Sequence, residues 1–532
     1  MDALLGGLLA QPPARPDAAA FVETGRFWAR LLGRPGRRVT HAVLHARIAA
    51  ASVALRRLGV GAGSVVLYAV RPGVDAMVLL PALLRVGATV IGLDPGLGAA
   101  LLAERLKQRV PDWVVAESIV FAASAPGPLQ RWLRRRGLEL PNLHAIAARR
   151  IRVGPWLPGV PRAIAVQALW SAADAGDPLP PLAADRPVLA IFTSGTTAAP
   201  KMVLHSSASL GATCALIGRR LALAPTDVVY SQQTHQMLPS MLAGATCIVP
   251  ASLHDARRVL MDLAFHRVTH LYAVPFELAA VVATLERTGA RLPDHLRAVV
   301  LGSAPVLPAF LVRLRAVCGA ATDVWCAYGM SEMFPVALVE SREKLAYVGE
   351  GDLVGHAVDG AHASLAADGE LVVSGPHLFA GYAGLPATPT HASGDLARID
   401  PDGRIVLLGR KKDMIIRGHH NIYPALYEDS VAAVAGVEAC AFVGLPQPDQ
   451  TDERVVLAIE PRAGENAEAL RRRVVHALAD GPQAIDRFAL PDHVLVCRLP
   501  RSGRSHKVDR ARLARWAADA LRSDARAVGI AK

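Results

Sequence analysis

The residues in this chain whose types and spacing could do chemistry together are concentrated between Ala190 and His205, A-I-F-T-S-G-T-T-A-A-P-K-M-V-L-H. An apolar run from Pro187 to Phe192 reads as a buried strand, and four hydroxyl residues, a glycine, a proline and a lysine follow within nine positions. That set suits a phosphate. Hydroxyls and backbone N–H groups wrap phosphate oxygens, Gly195 allows the positive φ of a tight loop, and Lys201 brings a point charge. The stretch is not a Walker A loop, which needs Gly directly before its Lys and Ser or Thr directly after, whereas Lys201 stands between Pro200 and Met202. A polar surface turn has a similar composition, so the meaning of the stretch depends on what accompanies it.

Other chemistries are poorly supplied. The six cysteines, Cys214, Cys247, Cys318, Cys326, Cys440 and Cys497, form no C-x-x-C pair and have no His at metal-ligand spacing, so they read as small buried hydrophobes of a reducing cytoplasm. The net charge of +12 comes mostly from arginines around 131–136, 149–152 and 471–473. These match no nucleic-acid-binding module and lack interleaved aromatics, so they read as solvated helix faces, with attraction to anionic lipid at the membrane periphery or to an anionic substrate as the alternative. Hydrophobic residues make up 52% of the chain, yet the best candidate span, Ala76 to Leu93, contains Arg85 and Pro81 and is flanked by Asp75 and Asp94; it reads as a buried helix followed by a buried strand. The apolar octet Ala3 to Ala10 has no basic residue before it and does not read as a signal peptide.

Positioning such a loop needs a sheet. At 532 residues the chain calls for at least two domains. Helical spacing from Thr40 to about Gly59 precedes an apparent strand, Gly63 to Ala69; Met77–Val86 suits a helix, Ala88–Leu93 a strand, Leu101–Arg109 a helix and Trp113–Glu117 a strand. This is the rhythm of a parallel α/β sheet. Residues 125–185 show no clear pattern. The alternation resumes after the loop and gives strands at Val228–Tyr230, His270–Ala273, Ala298–Leu301 and Asp323–Ala327, the last two ending in Gly302-Ser303-Ala304-Pro305 and Tyr328-Gly329-Met330-Ser331-Glu332, where open sheets place ligands. From about Gly349, Asp-Gly turns at Asp368-Gly369 and Asp402-Gly403 indicate antiparallel strands, and a smaller unit follows Gly409.

Five stretches now stand in order: Thr193–Lys201, Tyr328–Glu332, Ser393-Gly394-Asp395, Gly409-Arg410-Lys411-Lys412-Asp413 to Gly418, and L-P-R-S-G-R-S-H-K-V-D-R from Leu499 to Arg510. Together they resemble the adenylate-forming (AMP-binding) superfamily, in its acyl-CoA synthetase branch. The resemblance implies a large α/β domain, 1–409, with parallel and mixed sheets and a small β-barrel-like part, and a small mobile α+β domain, 410–532. It implies an acid-thiol ligase using ATP, Mg²⁺ and coenzyme A in the cytoplasm. Thr193, Ser194, Gly195, Thr196, Thr197 and Lys201 would hold the β- and γ-phosphates; Glu332 would carry Mg²⁺ and Ser331 would donate to the α-phosphate. Tyr328, with Gly329 and Met330 beside it, would stack on adenine against Gly302, Ser303, Ala304 and Pro305. Asp395, helped by Arg410, would accept the ribose hydroxyls. Lys507 would bridge the substrate carboxylate and the α-phosphate, and Lys412 would be the hinge on which the small domain turns.

Three positions depart from the family's usual glycines: Ala198, Met202 and His506. Where such a position needs positive φ, the cost is about 1–2 kcal/mol, which leaves open an altered second half-reaction or an adenylate-binding homologue without turnover. Tyr230 to Ser252 contains no acidic residue, so no carboxylate is offered there to an α-ammonium and an amino acid substrate is disfavoured. Met237, Trp325 and Met333 beside His235 suit an apolar, medium- or long-chain fatty acid. The acceptor is coenzyme A or an acyl carrier protein. Gly87 to Gly98, G-A-T-V-I-G-L-D-P-G-L-G, is similar to olefin-pathway β-lactone synthetases, which adenylate a β-hydroxy acid and use no thiol.

Overall fold

The computed structural model describes residues 15–25, 36–93, 106, 109–135, 140–170, 181–192, 201–253, 255–417, 420–446, 453–479, 481–502 and 507–523. Thr193, Ser194, Gly195, Thr196, Thr197, Ala198, Gly418 and His506, and nearly all of the expected helix Leu101–Arg109, lie outside the described residues. The chain forms two compact units: residues 1–336 with 358–361 and 374–391, and residues 337–357, 362–373 and 392–532.

The first unit contains two sheets. In one, the strand order is Gly381–Tyr382, Met202–Ser206, Pro187–Phe192, Thr89–Gly92, Val65–Ala69, Trp113–Glu117, Arg149–Val153, Ile164–Ala165. Pairing is parallel except at the first two junctions. Val65–Ala69 and Trp113–Glu117 are almost wholly buried, as continuous apolar runs covered on both faces must be. The stretch weighed above as a membrane span is the helix Val74–Arg85, a turn at Gly87 with φ +78°, and the strand Thr89–Gly92. Among the described residues no helix is long and apolar enough to cross a membrane.

Arg149–Val153 corrects the sequence reading. Its arginines were expected on a helix face, but the segment is a strand, in register with Trp113–Glu117, and the Arg149 guanidinium lies 4.2 Å from the centroid of the Trp113 ring. Ile151 and Val153 are buried between the arginines, so the run alternates as a half-buried strand does. The second sheet of this unit runs Arg38–Thr40, Ala19–Glu23, Thr246–Val249, Val228–Tyr230, His270–Ala273, Ala298–Leu301, Asp323–Met330, parallel after its first strand. Its last strand is three residues longer than expected and includes Tyr328, Gly329 and Met330, which leaves only Ser331-Glu332 for the turn.

In the second unit the strands His362–Leu365, Glu370–Ser374, His391–Ile399, Ile405–Arg410 and Asp352–Ala357 are neighbours in that order. The expected turns are present, with Gly369 at φ +82° and Gly403 at φ +87°. The strands form an open sheet, and no barrel closes among those described. A three-stranded sheet of Val437–Pro446, Glu453–Pro461 and His493–Val496 then packs Phe442, Val455 and Leu457 against Leu470, Val474 and Leu478 of the helix Ala467–Ala479.

Candidate active site

The first unit holds an acid, a phenol and a cation in a row. Glu332 sits at the turn linking Asp323–Met330 to Met333–Glu340. Tyr382 Oη donates to Glu332 Oε1 at 2.7 Å, and Lys201 Nζ lies 4.7 Å from the centroid of the Tyr382 ring. Strand pairing produces this neighbourhood: Lys201 immediately precedes Met202–Ser206, on which Gly381 pairs with Leu204 and Tyr382 with Val203. Met202 is itself a buried strand residue outside the left-handed region, so the family's usual glycine is not needed for backbone reasons here. Burial, then the hydrogen bond and charge of Glu332, push the Tyr382 phenol up, and it remains a donor.

The turn is held from two sides. His205 Nε2 donates to the Ser331 carbonyl at 2.7 Å, and the Phe379 N–H donates to the Glu332 carbonyl at 2.8 Å. Burial lowers the His205 pKa, opposed by its bond to Ser331, so the ring is a neutral Nε2–H donor near pH 7. Phe379, Tyr382 and His391 form an aromatic group with centroids 4.9, 5.2 and 6.1 Å apart.

Ser303 stands at the end of Ala298–Leu301 with φ +65° and its Oγ is 3.1 Å from Tyr272 Oη. A Cβ on Gly302 would meet Tyr272 Oη at 2.9 Å, and one on Gly329 would meet Phe334 Cδ2 at 2.8 Å, so both glycines allow close approach. Beside them the His235 ring is edge-on to Tyr272 and to Phe334, each at 4.9 Å. Burial lowers its pKa to about 4, and its Nε2 is a buried atom with no hydrogen-bond partner. The other pocket candidates diverge: Met237 belongs to the hydrophobic core with Leu44 and Leu79, Trp325 lies 4.5 Å from the Arg220 guanidinium, and the Met333 methyl faces Gly375.

The second unit brings Asp395 and Arg410 together as strand partners, with Arg410 Nε 2.5 Å from Asp395 Oδ1. Asp395 is buried and its N–H is received by Ser393 Oγ at 3.1 Å, while Gly394, at φ +76°, donates to Glu370 Oε1 at 2.8 Å. Lys411 bonds Asp368 at 2.6 Å and Glu370 at 2.8 Å. Lys507 is within electrostatic reach of the pair. Loss of hydration, then Arg410 and Lys412, lower its pKa, and Asp395 opposes them. Lys412 is an exposed member of the 3₁₀ turn Lys411–Asp413, and Arg510 anchors the far end: it lies 3.4 Å from Asp413 and bonds Glu428 and the Phe442 carbonyl.

Sequence reasoning missed Tyr382, Tyr272, His205 and Phe379. Tyr382 lies fifty residues from Glu332 in a two-residue strand, and nothing in its own neighbourhood announces an acid partner. The residues fit a magnesium nucleotide. Among the described residues no group of three His, Cys, Asp or Glu side chains could hold a metal, and Glu332 offers a carboxylate with one oxygen bound by Tyr382. A single carboxylate completed by phosphate oxygens and water is how Mg²⁺ is usually bound with a nucleotide.

A family model described as "AMP-binding enzyme" matches residues 9–383. The chain is 34% identical over 300 residues to a feruloyl-CoA synthase of Amycolatopsis sp, a match over 52% of this chain and 60% of that protein, so it spans less than two thirds of that relative. It is 25% identical over 561 residues to the olefin beta-lactone synthetase of Xanthomonas campestris pv. campestris, covering 95% of each. ATP-bound MatB from Rhodopseudomonas palustris has the same fold, with a TM-score of 0.77, 24% identity and coverage of 98% of this chain and 99% of that one. With most of its length matched by the family model, the chain belongs to the AMP-binding, adenylate-forming enzyme family.

Proposed function

We propose that the protein activates an apolar carboxylic acid with ATP and passes the acyl group to coenzyme A. The observation that carries this reading is the Lys201–Tyr382–Glu332 row beside the strand from which the phosphate-loop stretch emerges. In the first half-reaction a carboxylate oxygen attacks the α-phosphorus, the bond to the β-phosphate oxygen breaks, and pyrophosphate leaves. Both reactants are anionic, so cations and donors directed at the reacting oxygens lower the barrier. Lys201 would neutralise the β- and γ-phosphates, with Thr193 to Thr197 as donors. Mg²⁺ held by Glu332 would spread the charge of the same phosphates. Tyr382 keeps Glu332 Oε1 oriented, and Asp395 with Arg410 would hold the ribose hydroxyls. Lys507 would bridge the two reacting anions. In the second half-reaction a thiolate attacks the acyl carbonyl carbon, the carbon–oxygen bond to AMP breaks, and AMP leaves with the electron pair.

The aromatic and aliphatic surround of His235 favours an apolar acyl group, since a neutral ring adds no charge to the pocket. A second reading has its own support. The likeness to an olefin beta-lactone synthetase runs the length of both chains, and the unpartnered Nε2 of His235 could bond a β-hydroxyl group. The test is pyrophosphate exchange over a panel of fatty, aromatic and β-hydroxy acids, with and without coenzyme A, and identification of products by mass. A thioester that requires coenzyme A supports ligation; a lactone formed without it supports the second reading. Absence of exchange with every acid would overturn both.

A further inference from the structure

The loops at the amino ends of three adjacent parallel strands line an open cavity of about 460 Å³ in the first unit. It is lined by Gly59–Ala62 before Val65–Ala69, by Arg85 and Val86 before Thr89–Gly92, and by residues 181–183 and Arg186 before Pro187–Phe192. The phosphate-loop stretch leaves the opposite, carboxyl end of Pro187–Phe192, so the length of a six-residue strand, roughly 20 Å, separates the two. The volume is that of a small-molecule site, about 300–1,000 Å³.

Its charge is one-sided. Arg56, Arg85 and Arg186 line it, and among the described residues no acidic side chain does. Asp185 lies in the same segment but is exposed and does not line the cavity. Some other arginines of this unit stand beside carboxylates: Arg37 by Asp75, Arg71 by Glu117 and Arg297 by Asp227. Among the described residues the three guanidiniums have neither an ion pair nor a hydrogen bond. Arg85 is half-buried, and loss of hydration disfavours its charge. Two of the three stand in the last turns of the helices His41–Arg57 and Val74–Arg85. Each helix end offers about half a negative charge, which leaves a surplus of roughly two positive charges. Val60, Val86 and Leu182 supply apolar wall, and Leu182 and Arg186 close over Gly87, whose added Cβ would lie 2.8 Å from Leu182 Cδ1 and 3.3 Å from Arg186 Cδ.

We propose that this cavity binds a small anion carrying a phosphomonoester or oligophosphate group, gripped by Arg56, Arg85 and Arg186. Planar guanidiniums bond phosphate oxygens in pairs, and a multiply charged phosphate removes the repulsion among three clustered cations.

The test is calorimetric titration with tripolyphosphate while the nucleotide site is saturated with α,β-methylene-ATP. The parent should take up one further equivalent, and Arg85→Gln and Arg186→Gln should each weaken that binding by about tenfold or more, with pyrophosphate exchange and circular dichroism unchanged. Sedimentation with phosphatidic acid vesicles separates the two sources of such a group. Binding that is lost in the variants marks a lipid headgroup site, while uptake of tripolyphosphate alone marks a soluble ligand. No uptake of either by the parent, or binding to the glutamine variants as tight as to the parent, would overturn the proposal.

Discussion

Single side chains in this protein are set by partners far away in the chain. Tyr382 is the hydrogen-bond donor that orients Glu332, and Tyr382→Phe removes only that bond. If Glu332 carries Mg²⁺ as proposed, loss of such an outer-shell partner weakens metal affinity by roughly 10–100-fold. Pyrophosphate exchange by Tyr382→Phe should therefore need more Mg²⁺ than the parent, and an unchanged Mg²⁺ titration would remove Tyr382 from this role. Lys507 should show a different pattern if, as proposed, it acts in the adenylation half-reaction alone. Lys507→Ala should slow exchange by roughly 10²–10³ and spare thioester formation from pre-made acyl-AMP; exchange within about twofold of the parent would mean that another cation serves. His235 links the pocket to pH. Its folded pKa, about 4, lies below the ordinary value of 6.5, so the unfolded chain binds more protons between them. The stabilisation is complete above about pH 6.5 and lost as pH falls through about 4, worth roughly 3 kcal/mol in all. The melting temperature of His235→Gln should accordingly fall less than that of the parent between pH 7 and pH 4.

Elements bring these side chains to common places, and backbone proximity limits what they tolerate. Gly329, near the end of Asp323–Met330, has Phe334 Cδ2 at 2.8 Å and the Met333 carbonyl oxygen at 3.0 Å from where a Cβ would stand. Gly329→Ala should push Phe334 away from His235, destabilise the fold by about 1–3 kcal/mol, and raise KM for the acid more than KM for ATP. Equal changes in both constants would show that the strand end, rather than the acyl wall, was disturbed. Legibility at this scale followed composition. Val65–Ala69 and Trp113–Glu117 are apolar runs and were readable as strands, with boundaries accurate to about two residues. Arg149–Val153 was not, because three arginines in five residues mask the alternation of Ile151 and Val153, and only the Trp113 ring beneath Arg149 shows why a strand carries them.

At the scale of the whole molecule, the proposed division near Gly409 concerns motion more than compactness, since the second compact unit includes Asp395 and Arg410 as well as everything after them. Arg510 ties Asp413 to Glu428, which would confine rotation to the exposed Lys412. Lys412→Pro fixes φ near about −65° and should spare pyrophosphate exchange while slowing acyl transfer; equal loss of both activities would place the hinge elsewhere. The sequence by itself determined the family and the parallel α/β rhythm, and it singled out Lys201, Glu332, Asp395, Arg410 and Lys507 as candidates, because residue types at ordered spacings and apolar periodicity are local properties of the chain. The tertiary structure alone decided which of these groups meet and what meets them. Tyr382 reaches Glu332 through the pairing of Gly381–Tyr382 with Met202–Ser206, Asp395 and Arg410 are joined by strand register, and three unpaired arginines surround one cavity because three strands are parallel. Such encounters depend on pairing between segments tens to nearly two hundred residues apart, and hydrogen-bond register across a sheet leaves no mark on the composition of either segment alone.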